Sequence, residues 1–294
     1  MTGFLLDPFQ APYMQRALVE VLLLSLVTGV VSVHVLLRRL AFLGDALTHT
    51  IFPGIAFAFV LDQSLFLGAL AAGLLSAVLL TGASRVPKID TDAAIGVLLG
   101  AFFSLGVIVV STGRTYTADL TALLFGRILT VDRREIVDTA MIVVVVLLVI
   151  AFMHKELVFR AFDPAGAGAL GFRILGLDLV LNALVALVVV AAVRAVGTVL
   201  VIALIVVPAA TARLVTQRVS SMLVVSCLVS AACGYLGLAA SYEVSLHHGV
   251  RLGSGATIVI ALTLAFGVVG ATAAAVRAAR QLRSPTTTAA EAAA

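Results

Sequence analysis

Apolar stretches of about twenty residues recur along the chain, separated only by short polar breaks. Each stretch is long enough to span the hydrocarbon core of a bilayer, where only helices and closed barrels satisfy their own backbone hydrogen bonds. Of the 294 residues, 62% are hydrophobic and 12% are charged, whereas a soluble domain carries about 25% charged residues. These features predict an all-α polytopic membrane protein and exclude an intrinsically disordered chain.

Nine apolar segments qualify as spans, so we expect about eight to nine transmembrane helices. The segments are 17–37, 41–61, 64–83, 93–111, 136–154, 177–194, 196–215, 219–240 and 253–275. The run LTALLFGRIL within 112–135 predicts a short helix at the membrane interface. Residues 1–283 form one transmembrane domain in this interpretation, and the low-complexity tail 284–294 is expected to be disordered. The N-terminal stretch lacks the pattern of a removable signal peptide.

The distribution of basic residues predicts the orientation of the chain in the membrane. With an outward N-terminus, twelve Lys and Arg residues lie on the inner side and seven on the outer side. Arg114, Arg127, Arg133 and Arg134 lie on the outer side and oppose this trend. The basic residues cluster at span ends, which indicates contact with membrane lipid headgroups rather than with nucleic acid.

The stretch FLGDALTHTIFPG, residues 42–54, places ionisable side chains inside an apolar segment. Asp45 and His49 are four residues apart, so they share one helical face with Thr48. Pro53 has no N–H to donate to the carbonyl of His49, which leaves a further oxygen donor on the same turn. This donor set suits a divalent metal ion better than an organic substrate. The alternative interpretation is a structural hydrogen bond between Asp45 and His49.

Three further histidines are weaker candidates for metal binding. His34 lies within the first span, where a lone histidine packs or forms hydrogen bonds as often as it binds a metal. The segment 241–259 carries Glu243, His247 and His248 and is expected to be an outer loop. That loop is either a metal-attracting mouth or an ordinary solvated connection.

Three sequence stretches resemble one family of transport proteins. LLRRLAFLGDALTHTIFPGIAFAF resembles the second-span signature of the zinc, manganese and iron permeases of ABC importers, the ABC-3 family. The stretch VGTVLVIALIVVPAATARLVTQR, 196–218, is similar to the glycine-rich seventh segment of that family. SGATIVIALTLAFG, 254–267, resembles the start of its last helix. Together the similarities extend over nearly the whole chain.

The resemblance implies the ABC importer permease fold and the transport of a zinc, manganese or iron ion, with no permanently bound cofactor. It further implies a homodimer in which Asp45 and His49 of both copies line the ion path. Two cytoplasmic ABC ATPase subunits and an extracytoplasmic metal-binding protein are the expected partners. The expected location is the cell membrane of a prokaryote, crossed several times by each chain.

The segment RAFDPAGAGALGFRILG, 160–176, contains the spacing GxGxxG. A dinucleotide site requires that motif inside a soluble βαβ unit, and here it lies between two membrane spans, so we reject this function. The resemblance implies instead an inner coupling helix that docks on the ATPase, with Asp163, Ala167 and Gly171 as its candidate residues. An ordinary connecting loop is the alternative.

Several motifs do not occur in the chain. There is no GxxxxGK[ST] phosphate loop, so ATP hydrolysis is assigned to a separate subunit and the chain itself is not an enzyme. An intramembrane metalloprotease would need HExxH, which is also absent. A secondary metal transporter would show repeated halves with matching broken helices, and Pro53 and Pro208 lie in dissimilar contexts.

Overall fold

The computed structural model describes residues 7–84, 86, 88, 90–112, 126–248 and 252–283. These residues form ten α-helices and short 3-10 helices, and no strand occurs among them. The α-helices are α1 (Pro12–Leu37), α2 (Leu43–Thr50), α3 (Phe52–Val60), α4 (Leu65–Ala83), α5 (Thr91–Thr112), α6 (Arg133–Phe162), α7 (Pro164–Ala169), α8 (Ile174–Val215), α9 (Val219–His248) and α10 (Ser254–Arg283).

Eight helical segments of this described part are long and apolar enough to cross a membrane. The prediction of an all-helical polytopic membrane protein is therefore confirmed. Helices α2 and α3 together form one of these segments, Leu43–Val60. The break between them falls at Ile51, because Pro53 in the first turn of α3 cannot donate the helical hydrogen bond to His49. The tail 284–294 and most of the predicted interfacial helix lie outside the described residues.

Helix α8 contains two of the predicted spans, 177–194 and 196–215, without a loop between them. A straight helix of its 42 residues would be roughly 63 Å long, about twice the thickness of a bilayer core. Gly197 interrupts it with φ 77° and ψ 167°, a conformation open to glycine. Asp178 near its start binds Arg38, and Arg213 near its end lines the same cavity as Arg38. Helix α8 therefore folds back at Gly197 into two antiparallel arms.

This reversal defines two ends of the helical bundle. The end that carries Arg38, Asp178 and Arg213 is called the inner end, in agreement with the predicted orientation, and the end at Gly197 is called the outer end. At the outer end the Arg127 N–H donates to the carbonyl of Ala195 at 3.1 Å. This contact satisfies a carbonyl that the reversal removes from the regular helical pattern.

The outer tip of α8 is also fixed by ion pairs and close packing. The Arg194 guanidinium lies 3.2 Å from Glu135 and 3.7 Å from Asp138, both near the start of α6. Gly126, with φ 71°, approaches the tip so closely that a Cβ atom there would lie 2.3 Å from the Val196 carbonyl carbon. The tip is therefore held by backbone, charge and shape together.

Helices α3 and α4 approach each other through small residues. A Cβ atom at Gly54 would lie 2.2 Å from the carbonyl oxygen of Gly68, and one at Gly68 would lie 2.3 Å from that of Gly54. Ala58 and Ala72 flank this contact. Small residues let membrane helices pack backbone to backbone, where van der Waals contact drives association. This packing fixes the span that carries Asp45 and His49.

The prediction of an outer loop over 241–259 was wrong for residues 241–248 and 254–259, which belong to α9 and α10. Helix α9 continues through this polar stretch and ends at His248. At 30 residues it is about 45 Å long, so it extends beyond the hydrocarbon core into a region where polar side chains are soluble. The stretch 241–248 contains no glycine or proline that would end the helix earlier.

Candidate functional site

Asp45 and His49 lie side by side on α2, within one of the membrane-spanning segments. The Asp45 Oδ1 and His49 Nε2 atoms are 3.6 Å apart. The two side chains are 39% and 36% exposed on the surface of the single chain. The spacing of four residues brings them together, as the sequence predicted. The structure thus places a carboxylate and an imidazole on an open face of a membrane span.

An apolar cavity of about 530 Å³ adjoins His49. The ring of Phe103, from α5, stands edge-on to the His49 imidazole with 6.1 Å between centroids, and it stacks on Phe52 at 6.0 Å. The second arm of α8 contributes Thr198 to the cavity wall. The pair is therefore bordered by aromatic and aliphatic side chains.

Thr48 is less accessible than Asp45 and His49, and its hydroxyl is already hydrogen-bonded. It is buried, and its hydroxyl donates to the backbone carbonyl of Asp45 at 2.6 Å. This hydrogen bond directs the hydroxyl proton toward the helix backbone and leaves the two oxygen lone pairs for other contacts. Thr48 stays a prediction as a ligand, and its observed contact is with the turn that carries Asp45.

His34 is not brought together with Asp45 and His49. It is buried within α1, and its ring meets His154 of α6 edge-on with 5.5 Å between centroids. Within the described part of the chain, no group of three or more His, Cys, Asp or Glu side chains is arranged to hold a metal ion. A single chain therefore supplies only the Asp45 and His49 pair at this face.

A second acid–histidine pair lies near the outer end of α9. The Glu243 Oε1 and His247 Nδ1 atoms are 3.4 Å apart, and the same nitrogen lies 3.2 Å from the Glu243 carbonyl oxygen. The side chain of His247 is 64% exposed. His248 ends the same helix. These residues occupy a helix end rather than the predicted loop.

The predicted coupling segment forms the short helix α7 at the inner end. Asp163 precedes it as the N-cap, and its Oδ1 accepts a hydrogen bond from the Gly166 N–H at 2.8 Å. A Cβ atom at Gly166 would collide with the Asp163 carboxylate. Gly171 follows the helix with φ 84°, which favours glycine. Asp163 and the two glycines therefore shape the segment itself.

The surface of α7 differs from the predicted one in one respect. Ala167 is fully buried against its own chain, so its small side chain serves internal packing. The exposed positions include Phe162 and Leu170, large apolar side chains on either side of the helix. Exposed apolar groups at the inner end of a membrane protein are typical of a surface that a partner covers.

Two polar clusters escaped the sequence interpretation. The buried Glu20 of α1 accepts a hydrogen bond from Thr139 of α6 at 2.7 Å. Its signal was present, since a glutamate within an apolar span is exceptional. In the other cluster, Asp178 receives hydrogen bonds from Arg38 and Arg160. No local pattern links Arg38 and Asp178, which lie 140 residues apart.

Comparison with known proteins places this geometry in context. The model of the ABC 3 transport family matches residues 10–273. A manganese transport system membrane protein, MntC of Listeria monocytogenes, is 34% identical over 263 residues, covering 90% of this chain and 94% of that protein. A Haemophilus influenzae protein named "Probable iron transport system membrane protein" is 31% identical over 242 residues, covering 82% and 86%.

A solved structure has the same arrangement of helices. The structure of PsaBC from Streptococcus pneumoniae in complex with Fab matches with a TM-score of 0.78 and 32% sequence identity. The match covers 92% of this chain and 95% of the chain in that structure.

Proposed function

The chain belongs to the ABC-3 transport family, and from that membership we propose that it is the membrane-spanning permease subunit of an ATP-driven importer of manganese or iron. The ion is the transported substrate and passes through the permease toward the inner end. The relatives named for manganese and for iron support this choice of substrates. Zinc stays a prediction from the sequence resemblance, because imidazole ligands suit it as well.

The observation that carries the proposal is the open Asp45–His49 pair on a membrane span. A carboxylate at the centre of a bilayer costs about 2.5–3.5 kcal/mol on insertion scales, so such a group faces protein or a watery cavity rather than lipid. Both side chains are more than one third exposed on the single chain. This face therefore requires a partner that shields it from lipid. A path for a metal ion explains why two ionisable groups are kept in a membrane span despite their insertion free energy.

A second copy of the chain is the partner we propose for this face. Each chain brings one carboxylate and one imidazole to it, and no third acid, histidine or cysteine joins them within the described residues. Two copies related by a two-fold axis would supply four donors, enough for a first-row divalent ion. Oxygen and nitrogen donors in equal number are compatible with Mn²⁺ and Fe²⁺.

The power source lies outside this chain, because the sequence has no phosphate loop. We assign the docking of two ABC ATPase subunits to α7 and its exposed flanks, Phe162 and Leu170. An extracytoplasmic metal-binding protein would deliver the ion at the outer end. In a prokaryote this assembly resides in the plasma membrane.

Metal uptake by variants of the pair tests the proposal. Asp45→Asn keeps the shape of the side chain but removes the charge that balances a dication, and His49→Ala removes the nitrogen donor. We expect both variants to reduce manganese and iron uptake to background in cells that lack the native permease. Uptake is measured per folded dimer, with the folded yield scored separately by gel filtration in detergent.

A matched control is Asp62→Asn, which makes the same chemical change at the exposed outer end of the same span. It should leave uptake unchanged. A structural role for the pair would lower the folded yield and leave normal uptake in the molecules that fold. Normal uptake per dimer by both Asp45→Asn and His49→Ala would overturn the assignment of the ligands.

A further inference from the structure

A cavity lined by arginines opens at the inner end of the bundle, beside the start of α7. Its volume is about 590 Å³. The lining comes from the end of α1, the end of α6 and the end of the second arm of α8. The lining residues are Leu36, Leu37, Arg38, Arg39, Arg160, Ala161, Phe162 and Arg213. No acidic residue is among them.

The floor of this cavity holds two guanidinium groups that share one carboxylate. The Nη2 atoms of Arg38 and Arg160 donate to the two oxygens of Asp178, and all three side chains are largely buried. The Arg38 Nη1 and Arg160 Nε atoms are buried without a hydrogen-bond partner. Buried donors of a charged group are costly when they are unpaired, so Asp178 alone balances the charge of this cluster incompletely.

The rim of the cavity adds two further positive charges, Arg39 and Arg213, both exposed. Among the described residues, Asp178 is the only carboxylate bonded to the cluster, so the four arginines leave an excess of three positive charges. Burial lowers the pKa of the Arg38 guanidinium, and the neighbouring Asp178 opposes this shift. An anion in the cavity would stabilise the charged form of Arg38, as Asp178 does.

We propose that this cavity binds a phosphate group, as carried by an anionic phospholipid headgroup at the inner surface or by a soluble phosphate. Guanidinium groups match phosphate oxygens with planar pairs of donors. The arginines stand at the ends of membrane-spanning helices, which is the level of the headgroups. Arg218, another arginine at the inner end, is exposed and does not line this cavity.

The position of the cavity links the bound phosphate to the ATPase-coupling region, and this goes beyond the transport function proposed above. Ala161 and Phe162 belong to the cavity wall and directly precede Asp163, the N-cap of α7. Asp178 joins the ends of α1 and α6 to the first arm of α8. Occupancy of the site therefore strengthens the contact of α1 with α6 and α8, the two helices that flank α7.

Lipid binding by the purified full-length permease tests the proposal. Native mass spectrometry in a neutral detergent measures the affinity for phosphatidylglycerol and for zwitterionic phosphatidylcholine. We expect the wild-type chain to prefer phosphatidylglycerol, and the rim variant Arg39→Gln with Arg213→Gln to bind it about 25-fold more weakly, because each basic residue near the membrane surface contributes roughly a fivefold factor. The rim variant keeps the buried Arg38–Asp178–Arg160 cluster intact.

The control Arg218→Gln removes one positive charge from the same end of the molecule and should keep wild-type affinity. If the double variant does not fold, each single rim variant is measured, with roughly a fivefold loss expected. Competition by millimolar inorganic phosphate would identify a soluble phosphate as the source, whereas phosphatidylglycerol binding that resists it would identify the lipid. Both results support the phosphate site.

Three outcomes would overturn the proposal. Identical lipid binding and phosphate competition by the rim variant and the wild type would show that the arginines are only orientation signals. Equal affinity for both lipids would remove the role of the headgroup charge. Unchanged lipid binding with loss of ATPase co-purification would assign the cavity to an acidic segment of that protein instead.

Discussion

Asp45–His49 and Glu243–His247 are built in the same way, and their surroundings differ. In each pair a carboxylate precedes an imidazole by four residues on one helix, with oxygen–nitrogen distances of 3.6 and 3.4 Å. The first pair lies within a membrane span beside the ring of Phe103. The second lies at the outer end of α9, with an exposed histidine that also contacts the carbonyl of its own helix.

The comparison separates local geometry from its environment. Helical spacing alone produces both pairs, so the spacing is no evidence of metal transport. An exposed pair of this type contributes about 0.3–0.5 kcal/mol to stability and is screened by water and salt. Within a bilayer the same two groups are costly unless a protein or an ion satisfies them. The two pairs therefore differ in their depth in the membrane and in their need for a shielding protein or ion, and not in residue type.

The largest effect is expected from Gly54→Val, which attacks the packing that holds the membrane pair. The valine side chain would collide with the Gly68 backbone, and overpacking of a tight contact costs about 1–3 kcal/mol or more. We expect a strong loss of folded permease on gel filtration, and loss of uptake with it. Gly100→Val is the control, because a Cβ atom there meets nothing within 4 Å. Similar yields for both variants would contradict the packing argument.

A one-methylene change should distinguish the two pairs directly. Asp45→Glu keeps charge and ligand type but displaces the oxygens, so we expect metal uptake to fall about tenfold, equivalent to 1.4 kcal/mol of lost binding energy. The reciprocal change Glu243→Asp at the outer pair should leave uptake within about twofold of wild type, since the ion pair there is exposed. Uptake assays on the two variants at equal expression measure the difference. Equal sensitivity would place the outer pair on the ion path too.

Accessibility should also differ between the pairs. In a background without native cysteines, a cysteine at position 247 should react with an impermeant thiol reagent added to intact cells, because this position is exposed at the outer end. A cysteine at position 218 should be protected, because this exposed position lies at the inner end. The opposite pattern would reverse the orientation of the chain while leaving the Asp45–His49 site in place.

The smallest effect is expected from removing the outer pair altogether. Glu243→Gln combined with His247→Ala should change uptake by less than about twofold and stability by less than about 1 kcal/mol, as for other exposed ion pairs. Thermal unfolding followed with a thiol-reactive dye suits this chain, which has two cysteines and no tryptophan. A large loss of uptake would show that this pair guides the ion before it reaches the span.

Much of the fold could be predicted because a membrane span is recognisable in the sequence from the length and apolarity of a single segment. The second predicted span, 41–61, agrees closely with α2 and α3, and its proline marks the observed break. The predicted spans 177–194 and 196–215 correspond to the two arms of α8, although no polar loop separates them at Gly197. The segment 241–248 was misinterpreted because polarity marks the edge of the bilayer and not the end of a helix.

The candidate site divides along similar lines. Asp45 and His49 could be found because they are close in sequence and lie in an apolar stretch. The arginine cavity could not, since its members come from three distant helices that only tertiary folding brings together. Ala167 shows a further limit. Composition identified a small residue, but its burial against its own chain depends on packing that no local pattern records.

Because α8 reverses at Gly197, its two arms are joined at the outer end of the bundle only. Contacts of Arg127 and Arg194 hold the joined end, and the other end of each arm lies at the inner end of the bundle beside α7. The second arm contributes Thr198 to the wall of the cavity at His49, and its Ile205 packs against Gly44 of α2. A force applied to the inner ends of the two arms would therefore widen or narrow the gap between them most strongly at the inner end of the bundle, and the end held at Gly197 would move least.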